Sequence, residues 1–260
     1  TEQNMMSMAG GMAREGYFPL VHTFAVFIYR RAYDQIAMSI AYPNLPVRMF
    51  GFLPGITTPG GATHQAIEDI AIMKALPNMT ILETGDATEV EQVLSVAQDQ
   101  PGPVYVRQLR GVVPILFNPA DSLKINQARV LSHGSDITLF SAGICTEEAM
   151  RATRVLQERG ISLNHLHIST HKPFNDPLVL EAIASAKFGV ITMENHTTIG
   201  GLGTSVAEVL AKNGIGTPLT KIGIQDTFAH GASRGYLMQK YGLDALALVR
   251  QVEVLLDENL

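Results

Sequence analysis

Residues 55–77 read GITTPGGATHQAIEDIAIMKALP, and most of the fold can be worked out from this run. A loop of Gly, Pro and Thr leads into Thr63-His64-Gln65, then into a helical stripe that stops at Pro77. Ile67, Ile70, Ala71 and Ala75 recur at the spacing of one helix face, so a helix is expected over 67–75. A short apolar strand follows at 80–83, a helix at 87–98 and another strand at 103–107. Upstream, 3–15 is rich in Met, Ala and Gly and reads as a tightly packed helix closed by Gly16. Strands are expected at 18–24 and 47–52, with a long helix over 25–40 between them. Strands alternating with helices argue for a parallel α/β sheet.

The stretch 118–126 is polar and contains a proline, which makes it the natural boundary. A second α/β series follows it. Strands are expected at 136–140, 161–168, 188–193 and 220–224, and helices at 147–158, 178–186, 202–212 and 244–256.

Composition narrows the function. The chain has 260 residues, and its 46% hydrophobic content is enough to bury a sizeable core. Charged residues make up 17%, and the net charge of −5 offers no footing for nucleic acid or an anionic membrane. Cys145 is the only cysteine, which rules out an intrachain disulfide framework and fits a reducing, cytoplasmic compartment. No apolar run reaches the roughly 18–20 residues of a membrane span.

Three stretches act together: Glu2-Gln3-Asn4-Met5, the run from Thr23 to Gln35 (TFAVFIYRRAYDQ), and 55–77. As a group they resemble the pyrimidine-binding domain of a transketolase. The second half, with Glu194-Asn195-His196 followed by Gly200-Gly201-Leu202-Gly203, resembles the transketolase C-terminal domain. The resemblance implies two parallel-sheet α/β domains. A pyrimidine-binding domain lacking its N-terminal part would span 1–117, a linker 118–126 and a C-terminal domain 127–260. In that family the C-terminal domain serves mainly packing.

The resemblance also assigns roles. Glu2 matches the glutamate that hydrogen-bonds the aminopyrimidine of thiamine diphosphate and favours its imino tautomer, which then takes the proton from C2 of the thiazolium. A carboxyl in that role works best in a dry pocket, where its pKa is raised. Phe24 and Phe27, three apart, match aromatics that sandwich the pyrimidine ring, and Arg30 falls where relatives line the same pocket. On spacing alone the two phenylalanines read as ordinary core, the default for an aromatic pair at helical spacing. His64 matches a residue that contacts the sugar near the thiazolium; on its own it reads as a contact at a helix start, with Glu68 nearby. Arg110 matches the arginine that binds the substrate's phosphate, with Arg107 as the competing candidate.

At one loop the sequence departs from the family. Relatives carry Gly-Glu-Asp-Gly before the histidine, whereas this chain has Thr58-Pro59-Gly60-Gly61 with Gly60 in the aspartate's place. That puts an ordinary pentose phosphate substrate in doubt. The implied activity is transfer of a two-carbon ketol unit from a ketose to an aldose, with thiamine diphosphate and Mg2+ as cofactors. No Gly-Asp-Gly motif suited to the diphosphate and metal is present. That half of the site is therefore expected from an N-terminal transketolase subunit or domain, in a dimer of heterodimers. Deoxyxylulose-phosphate synthases, β subunits of 2-oxoacid dehydrogenases and a non-catalytic assembly or regulatory paralogue are the alternatives. His165, His167 and His171 suggest a metal site only weakly, since no carboxylate or cysteine follows at ligand spacing.

Overall fold

The computed structural model describes residues 1–257. The chain opens with α1 (Glu2–Arg14), whose buried face is Met6, Ala9, Gly10 and Ala13. Strand β1 (Leu20–Phe24) leads directly into α2 (Ala25–Ile36), and that helix continues as a π-helical turn over Ala37–Ala41. The helix expected over 25–40 is thus two pieces. The α-helical ladder is also interrupted at Ala32, where φ is −120° and ψ 20°. Then come β2 (Arg48–Phe52), a 3-10 turn at Gly55–Thr57, α3 (Asp69–Lys74), β3 (Thr80–Glu83), α4 (Ala87–Gln98) and β4 (Val104–Gln108).

The second half holds β5 (Arg129–Ser132), β6 (Ile137–Ser141), α5 (Cys145–Glu158), β7 (Leu163–His167) and β8 (Thr170–Lys172). It continues with α6 (Pro177–Ser185), β9 (Gly189–Thr197), α7 (Leu202–Lys212), β10 (Leu219–Ile224), α8 (Arg234–Lys240) and α9 (Ala245–Asp257). The expected domain 127–260 runs three residues beyond the described ones.

Two five-stranded sheets result, ordered β1-β2-β4-β3-β8 and β10-β9-β6-β7-β5. Each is parallel except for one edge strand, β8 against β3 and β5 against β7. Parallel strands need helical crossovers, which cover both faces, so central strands are mostly apolar. Met49, Phe50, Val104, Tyr105 and Val106 accordingly all lie buried. Neither edge strand was expected, and β8 also crosses the halves: it comes from the second and completes the sheet of the first.

The halves share a core and a set of buried charges. Ile56, Ile67 and Leu109 pack in one cluster with Ile144, Met193, Ile224 and Leu237. Arg107, fully buried, donates to Asp69 at 2.8 Å, to Glu83, and to the carbonyls of Ala66 at 3.1 Å and Asn195 at 3.0 Å. Burial raises the Glu83 carboxyl, but Arg107 and then His171 outweigh it and hold it at about 2. Among the described residues no helix is long and apolar enough to cross a membrane.

Candidate functional site

In open parallel α/β sheets, ligands bind beyond the carboxyl ends of the strands. Here those ends carry aromatic rings. Phe24 closes β1, Phe52 closes β2, and the two are register partners with ring centroids 5.2 Å apart. Phe24 is also the residue from which α2 starts, so Phe27 returns to the same face one turn later, 5.5 Å away. His64 meets both edge-on, 5.7 Å from Phe24 and 5.3 Å from Phe27. Phe24, Phe27, Phe52 and His64 are all half-buried, so this is a shelf rather than a sealed core.

Guanidinium groups flank the shelf. Arg31 lies over Phe27 at 4.1 Å and donates to Glu2 Oε2 at 3.2 Å. Arg110 lies over Phe52 at 4.8 Å. Five of the sequence-predicted residues (Glu2, Phe24, Phe27, His64 and Arg110) thus fall on one run of contacts, joined by Arg31 and Phe52. Glu2 does not sit in the dry pocket expected of it. Its own backbone amide, chiefly, and the Arg31 side chain hold its carboxyl below the usual range against the opposing effect of burial.

The other two arginines are structural in this chain. Arg30 donates to both oxygens of Glu68, at 2.8 and 2.9 Å, and to the carbonyls of Ala62 at 2.9 Å and Gln65 at 3.3 Å. It pins the loop that carries His64 onto α2 and takes Glu68 away from any contact with His64. It also explains why α3 starts at Asp69 rather than at Ile67. Arg107 is excluded as an anion contact, because its donors are all directed into the buried cluster described above. Arg110 remains, exposed and lining a cleft of about 440 Å3 together with Arg151 and Arg234.

The second half holds the His64 loop from below. Asn195 Oδ1 accepts from Ile56 N–H at 3.0 Å, and its Nδ2 donates to the Pro54 carbonyl at 3.1 Å. Gln65 Nε2 donates to the carbonyls of Thr58 and His230, each at 3.3 Å. His64 itself has Nδ1 2.9 Å from Thr63 Oγ1.

His165, His167 and His171 have separate partners. His165 meets Ser141 at 2.8 Å, His167 meets Thr146 at 2.7 Å and Glu89 at 3.0 Å, and His171 meets Glu83 at 2.7 Å. The carboxylates come from the first half, out of reach of any spacing rule. Among the described residues no three His, Cys, Asp or Glu side chains converge as a metal would require.

The aminopyrimidine of thiamine diphosphate needs flat apolar faces and a carboxylate at one edge. The shelf and Glu2 supply both on one surface. The Arg31–Glu2 pair in the way is exposed on the arginine side, and such pairs contribute little, so exchanging it costs little.

Sequence reasoning missed Arg31, Phe52 and Asn195. Arg31 had a signal, since it lies four residues after Phe27 on one helix face. Phe52 had none, because strand register brings it in, and although Asn195 stands in the Glu194-Asn195-His196 motif, nothing there announced its long-range contact with the His64 loop.

Comparison with known proteins gives a consistent answer. Residues 1–114 match the transketolase pyrimidine-binding domain, and 126–248 match the transketolase C-terminal domain. An uncharacterized transketolase family protein of Sinorhizobium fredii is 39% identical over 259 residues, covering 99% of this chain and 75% of that protein. A 6-deoxy-6-sulfo-D-fructose transketolase subunit of a Clostridium species is 37% identical over 250 residues, covering 96% and 77%. Among solved structures, a split gene transketolase described as an inactive β4 tetramer superposes with a TM-score of 0.91 at 37% identity, covering 99% of this chain and 82% of that one.

Proposed function

The chain belongs to the transketolase family, and on that premise we propose that it is one half of a thiamine diphosphate-dependent transketolase. It moves a two-carbon ketol unit from a ketose to an aldose. Residues 1–117 carry the pyrimidine half of the site, 118–126 join the two domains, and 127–260 support the site from below. A partner subunit or domain contributes the diphosphate and Mg2+ half. The relatives' own descriptions, one a subunit and one the product of a split gene, support that division.

The reading rests above all on the unbroken run of contacts Glu2–Arg31–Phe27–His64–Phe24–Phe52–Arg110 across the strand ends. When bound, the cofactor supplies an acidic C–H and an electron sink for making and breaking a carbon–carbon bond. Glu2, released from Arg31, orients the pyrimidine by hydrogen-bonding its ring nitrogen. Phe24 and Phe27 hold its faces and keep water from them. His64 stands at the edge of the shelf, where an imidazole can donate to or accept from a substrate oxygen near neutral pH. Arg110 offers a guanidinium fork to an anionic substrate end. Such a fork suits a phosphate and the sulfonate of the sugar named for the clostridial relative equally. Arg30 acts indirectly by fixing the loop of His64.

Reconstitution tests this. The purified chain, assayed with thiamine diphosphate, Mg2+ and a ketose–aldose pair, should be inactive alone and become active when a diphosphate-binding partner is added. Turnover by the chain alone would refute the divided site.

A further inference from the structure

A second cleft, of about 510 Å3, opens between α3, β8, α6 and α7. It shares no lining residue with the aromatic shelf or with the cleft beside Arg110. Two half-buried lysines meet there. Lys74, at the end of α3, donates from Nζ to Ser205 Oγ at 2.6 Å. Lys172, at the end of β8, donates to the carbonyls of Lys74, at 2.9 Å, and Leu76. An ammonium has three hydrogens, so two donors of Lys74 and one of Lys172 remain.

Among the described residues nothing neutralises this pair at contact distance. Neither ammonium forms an ion pair with a carboxylate among the described residues. Of the two acids lining the cleft, Asp176 is already engaged by the amides of Ala128 at 2.6 Å and Leu178 at 3.0 Å, and Glu208, like Glu194 outside the lining, attracts Lys74 only from farther away. Lys212 adds a third cation at the rim. Both inner ammoniums are pushed down from the usual lysine range, chiefly by burial, and Lys74 further depresses Lys172. The wall also includes His171, whose Nδ1 is buried without a hydrogen-bond partner. Below the cations, Phe174, Val179 and Val209 give an apolar floor. Two like charges brought together and partly desolvated, with no counter-charge in contact, are costly unless something else satisfies them, and such clusters in clefts mark binding sites.

We propose that this cleft binds a small organic anion, a phosphate monoester or carboxylate with an apolar body. The anionic end sits between Lys74, Lys172 and Lys212, and the body lies on the Phe174–Val179–Val209 floor. Lys74 comes from the first sheet's α3 and Lys212 from α7 of the second half. A ligand held by both would tie the two halves together on a surface separate from the shelf.

The test is calorimetric titration of the full chain with phenyl phosphate, benzoate and inorganic phosphate at constant ionic strength. Phenyl phosphate or benzoate should bind saturably, and inorganic phosphate more weakly because it leaves the apolar floor uncovered. Which of the first two binds tighter identifies the anion class. Lys74→Gln should weaken binding about tenfold or more, the loss expected for a charge-assisted hydrogen bond. Lys172 also caps α3, so Lys212→Ala is the second variant, expected to weaken binding without touching that cap. Arg110→Ala should leave the affinity unchanged. No saturable binding up to about 10 mM, or binding lost in Arg110→Ala and kept in Lys74→Gln and Lys212→Ala, would overturn the proposal.

Discussion

Asn195 fills the space that a side chain on residue 55 would occupy: a Cβ there would come within 2.1 Å of Asn195 Oδ1. Gly55 also has φ of +57°, a left-handed conformation that glycine adopts freely. The two residues lock together a loop of the first domain and a strand of the second, just before the segment that carries His64. Asn195→Ala leaves the Ile56 amide without a partner in a buried setting, while the Pro54 carbonyl keeps the Thr57 hydroxyl at 2.6 Å. It should destabilise the chain by about 1–3 kcal/mol, measured by denaturant unfolding, and Gly55→Ala should do at least as much. Hydrogen exchange should quicken chiefly over residues 54–66.

Gly60 is fixed by His64 in a similar way. A Cβ on residue 60 would lie 2.8 Å from His64 Cβ and 2.9 Å from Cγ, the rigid root of the side chain. Restoring the family's aspartate by Gly60→Asp would therefore displace His64 rather than simply add a hydroxyl contact. Expected is a fall in kcat/KM for every sugar tested, with no new preference for xylulose 5-phosphate. A gain for that sugar would mean the loop can reshape around the new side chain.

Arg107 and Arg110, three residues apart, should separate in a mutant study. Arg107→Met leaves Asp69 and Glu83 buried without their cation and should cost about 3–5 kcal/mol of stability. Arg110→Ala should leave the unfolding midpoint unchanged and raise KM for an anionic substrate more than it lowers kcat, as loss of uniform binding does.

Stability should also depend on pH through Glu194. Burial raises its carboxyl to about 7, against the pull of the Leu202 and Gly203 amides that it accepts at 2.6 and 2.8 Å. The native state therefore holds this proton more tightly than the unfolded chain, whose carboxyl titrates near 4.5. Its stabilising contribution is full below about pH 4.5 and is lost as pH rises through about 7. His196 works the other way. Burial lowers it to about 4 from 6.5, so its contribution is present above pH 6.5 and is lost as pH falls toward 4. Relative to wild type, Glu194→Gln should gain up to about 3 kcal/mol between pH 4.5 and 7. Chemical unfolding of both proteins across that range gives the slope. Equal slopes would remove Glu194 as the titrating group.

Much of this molecule was readable from periodicity. α4, α7 and β3 lie where the spacing of apolar residues puts them, because each buries one stripe or one short run. The missed elements have another origin. β8 is three residues long, and it is a strand only because β3, far away in sequence, lies beside it. The π-helical turn after α2 follows from packing that no residue pattern announces. At the site, Phe24, Phe27 and His64 were legible as a set, and the structure brings their rings together. The buried role of Arg107 was not, since Asp69 and Glu83 lie 38 and 24 residues from it. Nor was the pairing of Glu2 with Arg31, which follows from how α1 packs on α2.

On the proposed function, Glu2 of this chain is the group that activates the cofactor. Exchange of the C2 proton of thiamine diphosphate, measured in the assembled enzyme with and without Glu2→Gln, tests it most directly. Glu2→Gln should slow exchange by about a hundredfold or more, with cofactor still bound and the fold intact by thermal unfolding. An unchanged exchange rate in a fully loaded Glu2→Gln enzyme would contradict it.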